Sequence, residues 1–266
     1  MDDRRYSIGR HLLSLMRARH FPPMATGSTR NRWQRIRRLL AIAALAVIVG
    51  PFVLVLPLNV VQPLTTMVML RRTVQRIGEG KKPWYPRRDV VSRGEISPYL
   101  RRAVLASEDD RFYLHSGFDF EEIGNALERA RRGRRLRGAS TITQQVAKNV
   151  FLWEGRSYVR KGLEAWFTVV LELCLPKERI LDLYLNLAEW GDGVFGAEMA
   201  ARTHFRKSAK NLTRGEAARL AAILPAPRRW SPNGAIAMRR AAGILARMQY
   251  AAPREEAPEP VPRRRR

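Results

Sequence analysis

From Leu39 to Leu58 the chain runs LLAIAALAVIVGPFVLVLPL, twenty residues without a charged or hydrogen-bonding side chain, and no other feature limits its folding so tightly. A helix of that length crosses the hydrocarbon core of a bilayer, about 30 Å thick. A core helix of a soluble protein is usually shorter and polar on at least one face, and Pro51 and Pro57 weaken that reading further. Because 38 residues precede the segment and it continues past any cleavage site, it is expected to stay as an anchor rather than leave as a signal peptide. Arg30, Arg32, Arg35, Arg37 and Arg38 crowd its N-terminal end, whereas residues 61–70 contain no Lys or Arg. The N-terminus is therefore expected in the cytoplasm, and everything beyond about Val61 outside it.

The chain carries 49 Lys+Arg against 24 Asp+Glu, a formal charge of +25, which is too basic for an ordinary cytosolic enzyme. Such charge suits anionic lipid headgroups. Nucleic acid is the other usual partner of a basic chain, but here the charge is spread over both tails and the anchor keeps the domain from DNA, so none is expected. A single cysteine, Cys174, cannot form an intrachain disulfide, and His11, His20, His115 and His204 lack metal-ligand spacing.

Composition divides the chain into a basic cytoplasmic tail (1–38), the anchor (39–61), a basic Gly/Pro-bearing connector (62–95), a working domain (96–250) and a Pro/Arg-rich tail (251–266) expected to be disordered. The domain reads as mainly α. Ser97-Pro98 is a helix start, Thr141 with Gln144 and Thr213 with Glu216 are capping boxes, and Ile180, Leu181, Tyr184, Leu185 and Ala188 recur at helical spacing.

Three clusters could do chemistry. In EDDRFYLHSGFD, Glu108 follows Val104 by four residues, so a continuing helix turns its carboxylate toward the core face, where desolvation raises the pKa toward that of a general base. In GASTITQQVAKN, Gln144, Gln145 and Lys148 share one side of a helix start, an arrangement suited to an anion. Arg156 and Arg160 are one helical turn apart, and Glu164 stands four beyond Arg160 and three beyond Lys161. Taken singly, these are a solvated cap, a well-capped surface helix and an exposed salt bridge worth about 0 to 1 kcal/mol. Taken together, Lys148 and the third cluster supply four cations able to surround a pyrophosphate.

The order of these segments, followed by KERILDLYLNLAEWG and GVFGAEMAARTHF, resembles glycosyltransferase family 51, the peptidoglycan glycosyltransferase domain of class A penicillin-binding proteins, over about Leu100 to Pro232. With one crossing, no Ser-x-x-Lys and no room for a penicillin-binding domain, the chain looks like a monofunctional member. The resemblance implies a lysozyme-like, mainly α glycosyltransferase domain with a small membrane-proximal lobe, preceded by one transmembrane helix in the inner membrane, its catalytic domain periplasmic.

The implied reaction polymerises lipid II into glycan strands with release of undecaprenyl diphosphate. Glu108 corresponds to the base for the acceptor hydroxyl and Glu164 to the second essential glutamate. Asp109, Phe112 and His115 correspond to residues of the same cleft. Ser140, Thr141, Gln144, Gln145 and Asn149 match the segment lining the donor and acceptor sites, and Lys148, Arg156, Arg160 and Lys161 the pyrophosphate-holding cations. A divalent cation, magnesium or manganese, is implied by the resemblance alone. Implied partners are lipid II, the growing strand and the membrane, with other cell-wall synthesis proteins as candidates. His204 departs from the family, which commonly has tyrosine there. The nearest rival is a membrane-anchored muramidase or lytic transglycosylase, which would have no need of the cations.

Overall fold

The structure, a computed structural model, describes residues 27–80, 88–133, 140–155 and 157–251. Most of the basic N-terminal tail, part of the expected connector, Arg156 and nearly all of the C-terminal tail lie outside these residues. The chain divides into two compact units, residues 1–50 and 51–266.

The first unit carries most of helix α1 (Gly27–Val55). Leu39, Leu40, Ile42 and Leu45 are all exposed along it, an apolar surface that water does not favour and lipid does. Asn31–Asn59 is the one segment among the described residues long and apolar enough to cross a membrane, with a mean hydropathy of 2.9. Pro51 lies inside the helix, as the apolar run predicted it would.

The second unit begins in the last turn of α1. Val55 and Leu58 are buried, Phe52 packs edge-on against Trp166 with ring centroids 6.0 Å apart, and Asn59 donates to the Cys174 carbonyl at 2.9 Å. Arg179 adds two hydrogen bonds, to the carbonyls of Leu58 (2.6 Å) and Val61 (3.0 Å).

Residues 62–95, read from composition as a connector, contain a helix of their own, α2 (Met67–Gly78), capped by the Thr66 side chain. Met69 and Arg72 are buried, and Arg72 donates to Glu189 at 2.5 Å. Packing of the unit thus starts well upstream of residue 96. Composition concealed this because basic residues, which usually mark solvated chain, here include a buried arginine whose charge is matched by Glu189 and whose other nitrogen bonds Gln75 at 3.1 Å.

The remaining helices are α3 (Pro98–Glu108), α4 (Phe120–Arg131), α5 (Ile142–Phe151), α6 (Tyr158–Cys174), α7 (Lys177–Leu187), α8 (Ala197–Phe205), α9 (Arg214–Ile223) and α10 (Ala235–Arg247). A two-stranded antiparallel sheet, β1 (Glu189–Gly191) with β2 (Val194–Phe195), joins α7 to α8. The fold is mainly α, as the periodicity predicted. Ser97, Thr141 and Thr213 cap α3, α5 and α9 as their spacing required. Helix α9 packs on α3 and α10, and α5 packs on α6 and α7, while hydrogen bonds from Gln145 to Glu108 and from the Ile142 N–H to Asp109 join the end of α3 to the start of α5. His204, where the resembled family commonly has tyrosine, is half-buried and places Nε2 3.0 Å from the Trp190 carbonyl.

Candidate active site

Glu108 is the final residue of α3, and its neighbours define its state. Gln145 of α5 donates from Nε2 to Glu108 Oε2 at 3.0 Å, and the Ser107 hydroxyl approaches Oε1 at 3.3 Å. Burial raises the carboxyl above its ordinary value, more than the Gln145 and Ser107 hydrogen bonds and the nearby Arg240 charge lower it. The sequence reading of a poorly hydrated glutamate at this position agrees with that direction. The Glu108 carboxyl opens on a cavity of about 260 Å³, which Asp109, Ser140, Thr141 and Arg247 also border.

Asp109, one residue on, is not a second free acid. Its Oδ2 accepts the N–H of Ile142, the first residue of α5, at 2.9 Å, while Oδ1 lies 2.9 Å from His115 Nε2. Phe112 and His115 stand behind Asp109: Phe112 is 1% exposed, and Lys177 lies 4.4 Å over its ring. They support the groove and do not line it. Gly117 closes this turn at φ +84°, where an added Cβ would come within 2.7 Å of Thr168 Cγ2, so the chain needs glycine there. Its carbonyl accepts the Thr141 hydroxyl at 2.7 Å.

At the start of α5 the backbone and the side chains have different roles. Thr141 and Gln144 form the full capping box, each side chain bonding the other's backbone N–H, and Asp109 takes the N–H between them. The N–H groups of Thr141, Ile142 and Gln144 are thus bonded within the protein itself. What remains open is the helix side, where Ser140, Gln144, Gln145, Lys148, Arg160, Lys161 and Glu164 line a second cavity of about 170 Å³. Ser140 borders both cavities, and Gln145 of the second bonds Glu108 of the first, so the acid and the cations share one groove.

In α6, Arg160 donates to Glu164 Oε2 at 2.6 Å and Lys161 donates to Oε1. Glu164 is 3% exposed, and although burial raises its pKa, the Lys161 and Arg160 hydrogen bonds and charges leave it below the ordinary carboxylate range. It is an anion that organises two cations. Lys148 has no carboxylate partner among the described residues and lines the same cavity. Helix α6 begins at Tyr158, and Arg156 lies outside the described residues. Asn149 faces a third cavity of about 190 Å³, which shares Gln145 and Lys148 with the second and is bordered by Tyr184 and Leu224.

Sequence reading missed two contributors. Tyr184, taken as a core residue of an amphipathic helix, donates to Gln145 Oε1 at 3.2 Å. Arg240, one basic residue among many, reaches the field of Glu108 from α10. Nothing local in the sequence marks Arg240, since only tertiary packing brings α10 beside α3.

The described donors do not fit a resident divalent cation. Asp109, His115 and Asp119 lie close enough to share one, but Asp109 is used as above, and Asp119 caps Glu122 N through Oδ1 at 2.9 Å and faces Arg111 through Oδ2 at 3.7 Å. In the cation cavity Glu164 is the only carboxylate among the described residues, and both its oxygens are taken. No catalytic step is assigned to a metal.

A family profile described as "Transglycosylase" matches residues 74–249. The chain is 47% identical over 216 residues, 80% of its own length and 88% of the other's, to a protein of Xanthomonas campestris pv. campestris (strain B100) named biosynthetic peptidoglycan transglycosylase. Proteins of the same name from Pseudomonas fluorescens (strain SBW25) and Pseudomonas putida (strain KT2440) are each 52% identical, over 202 and 196 residues, covering 75% and 74% of this chain and 84% and 83% of theirs.

Proposed function

This chain belongs to the transglycosylase family, and we propose on that premise that it is a peptidoglycan glycosyltransferase, extending glycan strands from lipid II with loss of undecaprenyl diphosphate. The observation that carries the reading is one groove holding a desolvated carboxyl, Glu108, a hydrogen bond away from the wall that bears Lys148, Arg160, Lys161 and Glu164. Glu108 takes the proton of the acceptor hydroxyl as its oxygen bonds to the donor's anomeric carbon. The bond from that carbon to the diphosphate breaks, and the cation wall receives the negative charge. A diphosphate leaves as an anion, so preorganised positive charge serves it better than a proton donor does.

The cleaving rival accounts for less. A glycan-hydrolysing site works with two carboxyls placed about one sugar bond, or with an acid and a water, and has no use for a wall of cations. Asp109, the nearest second acid, is held by a backbone N–H and His115. Purified full-length protein in detergent, given lipid II, is expected to produce lengthening strands; shortening of preformed strands without new polymer would overturn the assignment.

The apolar helix α1 serves as the membrane anchor, with the N-terminus cytoplasmic, on the support of the arginines before it and the absence of Lys and Arg at 61–70. Lipid II has its own tail in the same bilayer, which raises its effective concentration at the groove. A reporter that works only in the periplasm, fused after Tyr250, is expected to be active, and a silent fusion with an active cytoplasmic one reverses the orientation.

A further inference from the structure

The amide of Gln145 is held at both ends. Its nitrogen faces the Glu108 carboxylate at 3.0 Å, and its oxygen receives the hydroxyl of Tyr184 from α7 at 3.2 Å. Tyr184 is 2% exposed and Gln145 half-buried. An amide can rotate and exchange its oxygen for its nitrogen; the two orientations differ only in what they meet. Rotated, Gln145 would set its oxygen against the carboxylate of Glu108 and its NH2 against the Tyr184 hydroxyl. An ionised carboxylate has only acceptors, so that orientation is repelled at one end.

We propose that Tyr184 is a positioning residue for catalysis, its hydroxyl fixing the Gln145 amide so that a hydrogen-bond donor always faces Glu108. The inference deepens the reading of Glu108 as general base and rests on it. Buried hydroxyls need partners in any fold, so the contact alone is compatible with plain packing. The chemistry separates the two roles, because a donor aimed at Glu108 favours its ionised form. Remove the aim, and the base should hold its proton to higher pH. Burial, and then the negative charges of Glu108 and Asp109, push the Tyr184 phenol well above its ordinary value, so it stays a neutral donor throughout the working range.

Other charges face Glu108 as well. Arg240 of α10 favours its ionisation and Asp109 opposes it, while Asp119, Glu122, Arg129 and Arg247 border the same cavity. Among the described residues none of these groups hydrogen-bonds Gln145, whose side chain meets Glu108 and Tyr184, so their influence is common to parent and variant and cancels when the two are compared.

The test is the pH profile of kcat/KM for strand synthesis from lipid II by the full-length protein, which reports ionisations of the free enzyme. Tyr184→Phe removes only the hydroxyl. Its acid limb is expected to move up by about one pH unit, giving about tenfold less activity below the limb and recovery toward the parent above it. Gln145→Ala should move the limb in the same direction on its own, and Tyr184→Phe should add no further shift in that background. An unmoved limb in Gln145→Ala, a uniform loss at every pH in Tyr184→Phe, or additive shifts in the double variant would each overturn the proposal. The Gln145→Ala arm keeps the test open should Tyr184→Phe fold poorly. Glu108→Gln, measured beside them, separates two failures: activity retained in that variant removes the general base itself, whereas an inactive Glu108→Gln with unmoved limbs removes only the role of Tyr184.

Discussion

Glu108→Gln is expected to stop strand growth, with a fall of about 10²- to 10⁴-fold in kcat, and at the same time to make the folded domain more stable at neutral pH. The two effects have one cause. Burial raises the folded-state pKa of Glu108 above its unfolded value. A group shifted in that direction contributes its stability in full below the unfolded pKa and loses it as pH climbs through the folded one. At neutral pH the ionised carboxylate therefore weighs against folding, and a neutral amide of the same size relieves the cost. The gain in Tm over the parent should be present at pH 7 and shrink as pH falls toward the ordinary glutamate value of about 4.3. Thermal unfolding followed at several pH values, alongside polymer synthesis, checks both halves. An inactive variant that is less stable at every pH would point to damaged structure, and near-normal synthesis would take the base assignment from Glu108.

Lys148→Ala is expected to cost about 10²- to 10³-fold in strand synthesis, the order found when one preorganised charge partner is removed from a site of developing negative charge. The reason lies in how the neighbouring cations are employed. Arg160 and Lys161 are both held on Glu164, and Arg160 also donates to the Gly155 carbonyl at 2.8 Å. Lys148 has no such carboxylate among the described residues, so its ammonium is the cation most available to a diphosphate. The loss should appear in kcat as well as KM, because charge on the leaving group is greatest in the transition state. Arg266→Ala, in the basic C-terminal run, is the matched control for net charge. Equal effects of the two substitutions would mean that diffuse positive charge, and no particular ammonium, holds the donor.

Helix starts and the identity of the clusters were legible because they are written locally. Thr141 and Gln144 are three residues apart, Glu164 is four from Arg160, and each relation survives unchanged in the fold. The partial burial of Glu108 was legible for a related reason, its spacing from Val104 on a helix whose core face is plain. What stayed hidden depends on distant packing. Asp109 is one of a run of acidic residues in the sequence, yet it meets a backbone N–H 33 residues away. Tyr184 and Glu108 are linked only through Gln145, across three helices. The helix α2 within the expected connector was not legible, because its burial depends on Arg72 pairing with the distant Glu189.

The start of α5, whose Ile142 and Gln144 N–H groups are taken within the protein, bears on how the donor is let go. A phosphate seated on a helix terminus is gripped by backbone N–H groups that neither move nor respond much to the surrounding electrolyte. Here Asp109 and Thr141 take N–H groups of that terminus, so on the proposed reading a diphosphate is met by side-chain ammonium and guanidinium groups. Contacts of that kind loosen as ionic strength rises and let go quickly once the sugar has been transferred. A polymerase that must shed a spent carrier at every cycle is better served by a soft grip than by a permanent one.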